Sequence, residues 1–163
     1  MKNKRSIIGI LLLFIIVLGI YVAYITSTQS EQLKNIYIKS LVEIIEYKSG
    51  TQKSFQYIAI DFDTLKGLNE VEKAEVNEYF ELKYNVQVID ASYKDLLEKG
   101  IEHRNKELSG LVIYVEKIEN HIFSYNVHVA KEYASLGANG IVIKFHYKNG
   151  EWIIWKVKAN WIS

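Results

Sequence analysis

Cysteine is absent from the 163 residues, which excludes disulfides, thiolate metal sites, a cysteine nucleophile and a lipid-modified cysteine anchor. Proline is absent as well, so the loops must be shaped by Gly, Asn and Ser. Arginine occurs only at Arg5 and Arg104, which leaves the chain poor in bidentate phosphate binders. Charge of one sign is lacking too. The formal net charge is +1, and taking Lys2, Lys4 and Arg5 from the 20 basic residues leaves 17 against 19 acidic ones, a net of −2 for the remainder. That balance excludes a nucleic-acid binder of the usual basic kind. No G-x-S-x-G motif is present, and Ser135-Leu136-Gly137-Ala138-Asn139-Gly140 joins two strand-like runs instead of opening a helix, so it is no phosphate loop. What is present in quantity is apolar sequence: 49% of residues, with 24% charged, the composition of an ordinary globular chain.

The long apolar run Ile7 to Ile25 holds 19 residues, none charged, and as a helix would extend ~28 Å, close to the hydrocarbon thickness of a bilayer. A secretory signal has a shorter apolar core and a small-x-small exit, whereas here the exit reads Tyr21-Val22-Ala23-Tyr24-Ile25-Thr26. The expectation is therefore an uncleaved single-pass anchor in the plasma membrane, contacting the lipid bilayer through residues 7–25. The basic flank keeps residues 1–6 cytoplasmic and sends residues 26–163 out as an extracytoplasmic α+β domain.

Beyond the run, Leu33, Ile36, Tyr37, Leu41, Ile44 and Ile45 recur at spacings of three and four and mark one face of a helix from Glu31 to Lys48. Residues Thr26 to Ser30 are either a hinge or part of one continuous helix. Phe55 to Phe62 reads as a strand, and Asn69 with Glu72 as a capping box opening a helix to Lys83. Val86 to Ile89 is a short strand, and Ser92 with Asp95 opens a further helix closed by Gly100. Four strand-like runs follow, Leu111 to Ile118, Ile122 to Glu132, Ile141 to Lys148 and Glu151 to Lys158, as an antiparallel meander. A three-residue loop Lys148-Asn149-Gly150 puts Ile141, Ile143 and Phe145 on one face with Ile153, Trp155 and Val157, making Trp155 core and Trp152 not. A loop Glu119-Asn120-His121 adds Leu111, Ile113 and Val115 with Tyr125, Val127 and Val129 to that face. The helices, chiefly Leu33 to Ile45, would cover it.

On Tyr57-Ile58-Ala59-Ile60-Asp61, Leu96-Leu97-Glu98-Lys99-Gly100, Tyr133-Ala134-Ser135-Leu136-Gly137-Ala138 and Trp161-Ile162-Ser163, the chain resembles an uncharacterised Gram-positive family of single-pass membrane-anchored proteins. The resemblance covers most of Tyr57 to Ser163. It implies a cystatin-like or NTF2-like outer domain, a helix on a curved antiparallel sheet, and implies no catalytic residues. That class hosts binding modules and enzymes alike, so the fold selects no function.

Asp61-Phe62-Asp63-Thr64 invites comparison with the nucleophile loop of haloacid dehalogenase-type phosphatases, but Leu65 stands where D-x-D-x-T needs Thr, and the chemistry needs a parallel sheet. A hairpin centred on Gly137 sets His128 opposite His146 on the polar face, near enough for joint metal binding in geometry. A third ligand is missing and lysines lie beside them, so the pair reads as solvated and no metal or other cofactor is expected. Tyr114, Ile118, Ile122, Trp152 and Ile154 share that face and make it less polar than a solvated sheet face, either because it receives a partner or because other segments cover it. Lys144, Lys148, Lys156 and Lys158 form a basic stripe there. The function expected is a non-catalytic binding or accessory module of the bacterial envelope for a protein or peptide partner, with Tyr114, His128, His146 and Trp152 as candidate contacts. The alternative is a small-ligand-binding protein or small enzyme using a pocket between the first helix and the curved sheet.

Overall fold

The computed structural model describes residues 2–47, 55–101, 107–134 and 137–162, with the side chains of 2–13, 19–28, 107–108 and 133–134 outside the description. The first element, α1 (Lys2–Glu46), is one helix of 45 residues, so Thr26 to Ser30 are helical and form no hinge. Its buried apolar residues, Ile36, Tyr37, Leu41, Ile44 and Ile45, fall at the helical spacing that the sequence displays, and they pack on the sheet.

Among the described residues no helix is long and apolar enough to cross a membrane. The expected single-pass transmembrane segment, and with it the plasma-membrane location and the outward placement of residues 26–163, is therefore not supported. Ile7 to Ile25 forms no separate unit: its backbone is the first part of the same helix that continues onto the sheet, and its side chains lie outside the description except at 14–18.

The rest of the chain builds β1 (Tyr57–Ile60), a 3₁₀ turn (Phe62–Thr64), α2 (Glu70–Tyr84), β2 (Gln87–Asp90), α3 (Tyr93–Glu98), β3 (Glu107–His121), β4 (Ser124–Ala134), β5 (Gly137–Lys148) and β6 (Glu151–Ile162). Both shorter helices start where their caps predict. Asn69 Oδ1 accepts the backbone N–H groups of Val71 and Glu72 while Glu72 accepts that of Asn69 at 2.8 Å, and Ser92 with Asp95 forms the same reciprocal pair.

The six strands form one mixed sheet in the order β2-β1-β3-β4-β5-β6. This corrects the expected fold class, a cystatin-like or NTF2-like domain on a four-stranded antiparallel meander. Strands β3 to β6 are successive antiparallel neighbours, but β1 lies parallel to both β2 and β3, and the sheet continues past β3. The physical reason is visible in Tyr57-Ile58-Ala59-Ile60, which is buried at all four positions. A strand apolar without alternation is covered on both faces, as parallel strands with crossover helices are. Ile58 and Ile60 point into the main core with Val76 and Phe80 of α2, while Tyr57 and Ala59 point into a second cluster with Leu96 of α3. Helices α1 and α2 thus share one face, called here the core face, and α3 lies on the other.

Two registers also differ from expectation. Strand β3 turns into β4 at Ile122-Phe123, with His121 paired to Ser124, and a bulge at Glu116 restores the alignment so that Ile113 and Val115 share the core face with Val127 and Val129. Asn149 and Gly150 both have positive φ, 55° and 87°, and make a two-residue turn pairing Lys148 with Glu151. A bulge at Trp155 then brings Val157 opposite Ile143 on the core face. The cost of moving the extra residue from the loop to the strand is borne by Trp155, which is 60% exposed, whereas Trp152 is half-buried against the core. The expected assignment of the two tryptophans is reversed.

Candidate functional site

The face of the sheet away from α1 is covered by α3 only at the β1 end, where Leu96 and Tyr93 pack with Ala59 and Val112. Strands β4 to β6 have no helix among the described residues on that side. Cross-strand rows there run Tyr114, Ala130, Gly140, Trp161, then Lys117, His128, Val142, Lys158, then Glu119, Asn126, Lys144, Lys156, and last His121, Ser124, His146, Ile153.

Three of the four expected contact residues, Tyr114, His128 and His146, are on this open face. His146 pairs with Ser124 and His128 with Val142, so the expected opposition of the two histidines does not occur. They stand four residues apart along the strands, roughly 13 Å at strand rise, too far to share a metal ion. Residues 135–136, between β4 and β5, lie outside the description. Among the described residues no group of three or more His, Asp or Glu side chains is placed to hold a metal.

Trp152 is on the core face and is a structural residue. Its Nε1–H donates to Gln32 Oε1 at 3.2 Å, its ring meets Tyr125 edge-on at 4.7 Å, and Lys39 of α1 donates to its carbonyl at 2.8 Å. The tryptophan that faces outward is Trp155, stacked on His146 with ring centroids 4.7 Å apart and planes 21° from parallel. Trp161 lies across Gly140, where an added Cβ would sit 2.5 Å from its Nε1, and donates from that nitrogen to Glu116 at 3.0 Å. Neither was among the expected contacts, because the bulges that place them leave no mark in the alternation of the sequence. Seven of the 12 residues of β6 are Trp, Ile or Val, yet it has no fully buried position, which only the structure reveals.

The charged groups of this face are unevenly satisfied. Lys117 lies 2.6 Å from Glu119, and Asn126 donates to the same carboxylate at 3.1 Å; these contacts hold Glu119 down to about 2. Burial raises the Glu132 carboxyl, offset in part by the Tyr114 hydroxyl. Lys144, Lys156 and Lys158 have no ion pair among the described residues.

Two clefts lie on the other side of β3. One of about 330 Å³ separates α1 from the sheet and is lined by Ser30, Leu33 and Tyr37 together with Gly67, Ile118 and Tyr125. Its rim is held by the Tyr37 hydroxyl, which donates to the Lys66 carbonyl at 2.9 Å and is pushed up to about 12 by burial. The other, about 310 Å³, sits beyond the C-terminal end of β1 and is lined by Asp63, Thr64, Lys66, Val115, Glu116 and Lys117. Here the Asp61-Phe62-Asp63-Thr64 segment does follow a strand with parallel neighbours, contrary to the expected meander. Thr64 serves the backbone, accepting the Val115 N–H at 3.1 Å, and Leu65 is buried in the core. Burial, with Asp63, Asp90 and Asp95 nearby, raises the Asp61 carboxyl.

Fold and surface together define a mixed α/β domain with one helix-covered sheet face and one face left largely open among the described residues. No family model, curated protein or solved structure matches the chain.

Proposed function

We propose that this protein is a non-catalytic binding module that receives a protein or peptide partner on the open side of β4 to β6. The observation that carries the reading is the exposure of β6. It is half-buried or exposed at every position described and holds three tryptophans, whereas an edge strand that stays solvated is normally short, polar or covered. Tyr114, His128 and His146 lie within the same surface, with Trp155 in the place expected of Trp152. A benzophenone side chain placed at Trp155 and, separately, at Leu82 on α2, also exposed, tests this directly. Photolysis in native extract should give a discrete adduct at position 155 and none at 82. Equal adduct patterns at the two positions would remove the reading.

The second reading is a small-ligand site in the cleft between α1 and the sheet, supported by its mixed lining of Leu33, Ile118 and Tyr125 with Ser30 and Asn120. Leu33→Trp fills that cleft. Loss of a bound small molecule in native mass spectra of this variant, with position-155 adducts unchanged, would favour the second reading over the first.

A further inference from the structure

We infer that β6 is a docking strand for an acidic, extended peptide segment, which adds to the sheet as a seventh strand alongside residues 153–162. This rests on the proposed binding role and names its partner by chemistry. The edge is open in the sense strand addition requires: β6 pairs with β5 on one side only, and from Ile153 onward its outward backbone groups have no hydrogen-bond partner among the described residues. Only the first outward carbonyl, that of Trp152, is closed, by Lys39. A partner strand entering after that point satisfies the outward N–H and C=O groups of the regular stretch between the bulges at Trp155 and Asn160.

Side chains select the partner. On the open face Lys156 and Lys158 alternate along the strand with Lys144 beside them on β5, and Glu151, at the hairpin end, is the acidic residue of β6. Carboxylates at alternate positions of an added strand would stand directly opposite those lysines, the favourable cross-strand arrangement. A second copy of this chain fits less well, because pairing β6 with itself about Val157 sets Lys156 against Lys158, like charges face to face. Apolar side chains at the intervening positions of the partner would meet the core-face side of the strand, where Ile154 is 37% exposed next to Trp152.

All three tryptophans of the chain are in β6, so their emission reports on this strand alone. The probe is a short peptide of alternating glutamate and valine, titrated into the full chain; its lysine–valine counterpart and a version N-methylated at alternate residues are the controls. Expected are a saturable change in tryptophan emission, slowed amide exchange at 153–162, and no response to the lysine peptide or the N-methylated one. The double variant Lys156→Glu/Lys158→Glu should weaken the glutamate peptide by about tenfold or more, as reversal of paired charges does. Equal binding of the N-methylated peptide would overturn the proposal, since the face would then be attracting polyanions without adding a strand. So would a chain already dimeric with protected β6 amides, or an absence of any response. A position-155 adduct with no peptide response would remove only the acidic strand and leave the binding role standing.

Discussion

At one edge of the sheet β2 is four residues long and lies between α2 on the core face and α3 on the other; at the opposite edge β6 is 12 residues long and, among the described residues, is met by a helix only at Trp152, through Gln32 and Lys39 of α1. Short length and cover are the usual protections of an edge. The β6 edge relies on different ones, two bulges that interrupt pairing with any strand and two lysines that disfavour a like strand. The teaching is that apolar content does not identify a core strand. Strand β5, with Ile141, Ile143 and Phe145 fully buried, and β6, with Ile153, Ile154 and Trp155 exposed, are both apolar, and α1 decides between them by covering β5 and reaching β6 only at Trp152.

The sharpest way to break this contrast is to truncate one aromatic in each strand. Phe145→Ala should cost about 3 to 5 kcal/mol and Trp155→Ala well under 1, because only the first leaves a cavity. Urea melts read both; a larger loss at Trp155 would mean that the bulge is misplaced and the outward surface with it.

A smaller effect is expected where α1 is fastened to the sheet. The buried Lys131 of β4 donates to the carbonyls of Ile45 and Tyr47 at 3.1 and 3.0 Å, supplying donors at the C-terminal end of the helix. Lys131→Met should destabilise by about 1 to 3 kcal/mol through the loss of these two hydrogen bonds from a charged donor. The melt should be accompanied by faster exchange in α1 and unchanged exchange at 153–162, since the contacts of α1 with β6 run through Gln32, Lys39 and Trp152 and not through Lys131.

The covered edge should in turn depend on its caps. Asn69→Ala and Ser92→Ala each remove a side-chain acceptor from a helix flanking β2 and should cost about 1 kcal/mol apiece. Amide exchange at Gln87–Asp90 should quicken in both variants, and an unchanged rate there would show that the helices do not guard the edge.

The least effect belongs to Glu119, whose folded pKa is depressed to about 2 from 4.5 by Lys117 and Asn126. A depressed carboxylate contributes stability that is present above the unfolded pKa and is lost as pH falls through the folded one. The wild type should therefore lose stability relative to Glu119→Gln between pH 4.5 and 2, and a melting-temperature series over that window checks the sign.

Legibility in the sequence followed the range of the interaction. The capping residues Asn69, Glu72, Ser92 and Asp95 were readable because their hydrogen bonds close within three residues. The faces of β4 and β5 were readable because alternation records burial on one side. The lysine that fastens α1, Lys131, carries no such mark, since it meets its partners across more than 80 positions of chain. For Tyr114, His128 and His146 the strand face was readable and the strand register was not, which is why two histidines expected to meet stand apart.

The sequence by itself determined the composition limits, the segments that become helix or strand, and the apolar faces of the central strands, all properties of neighbouring residues. Tertiary structure decided the strand order, the parallel addition of β1 and β2, and the residue that absorbs the odd step in each hairpin. The reason is degeneracy. A three-residue loop at Gly150, or a two-residue turn with a bulge at Trp155, both bring Val157 to the core face, and likewise a loop at Glu119 to His121 or a turn at Ile122-Phe123 with a bulge at Glu116 both serve Ile113 and Val115. Local preference does not separate such pairs; packing against α1 does, and in choosing it turns Trp152 inward onto Tyr125 and Gln32 and leaves Trp155 facing out.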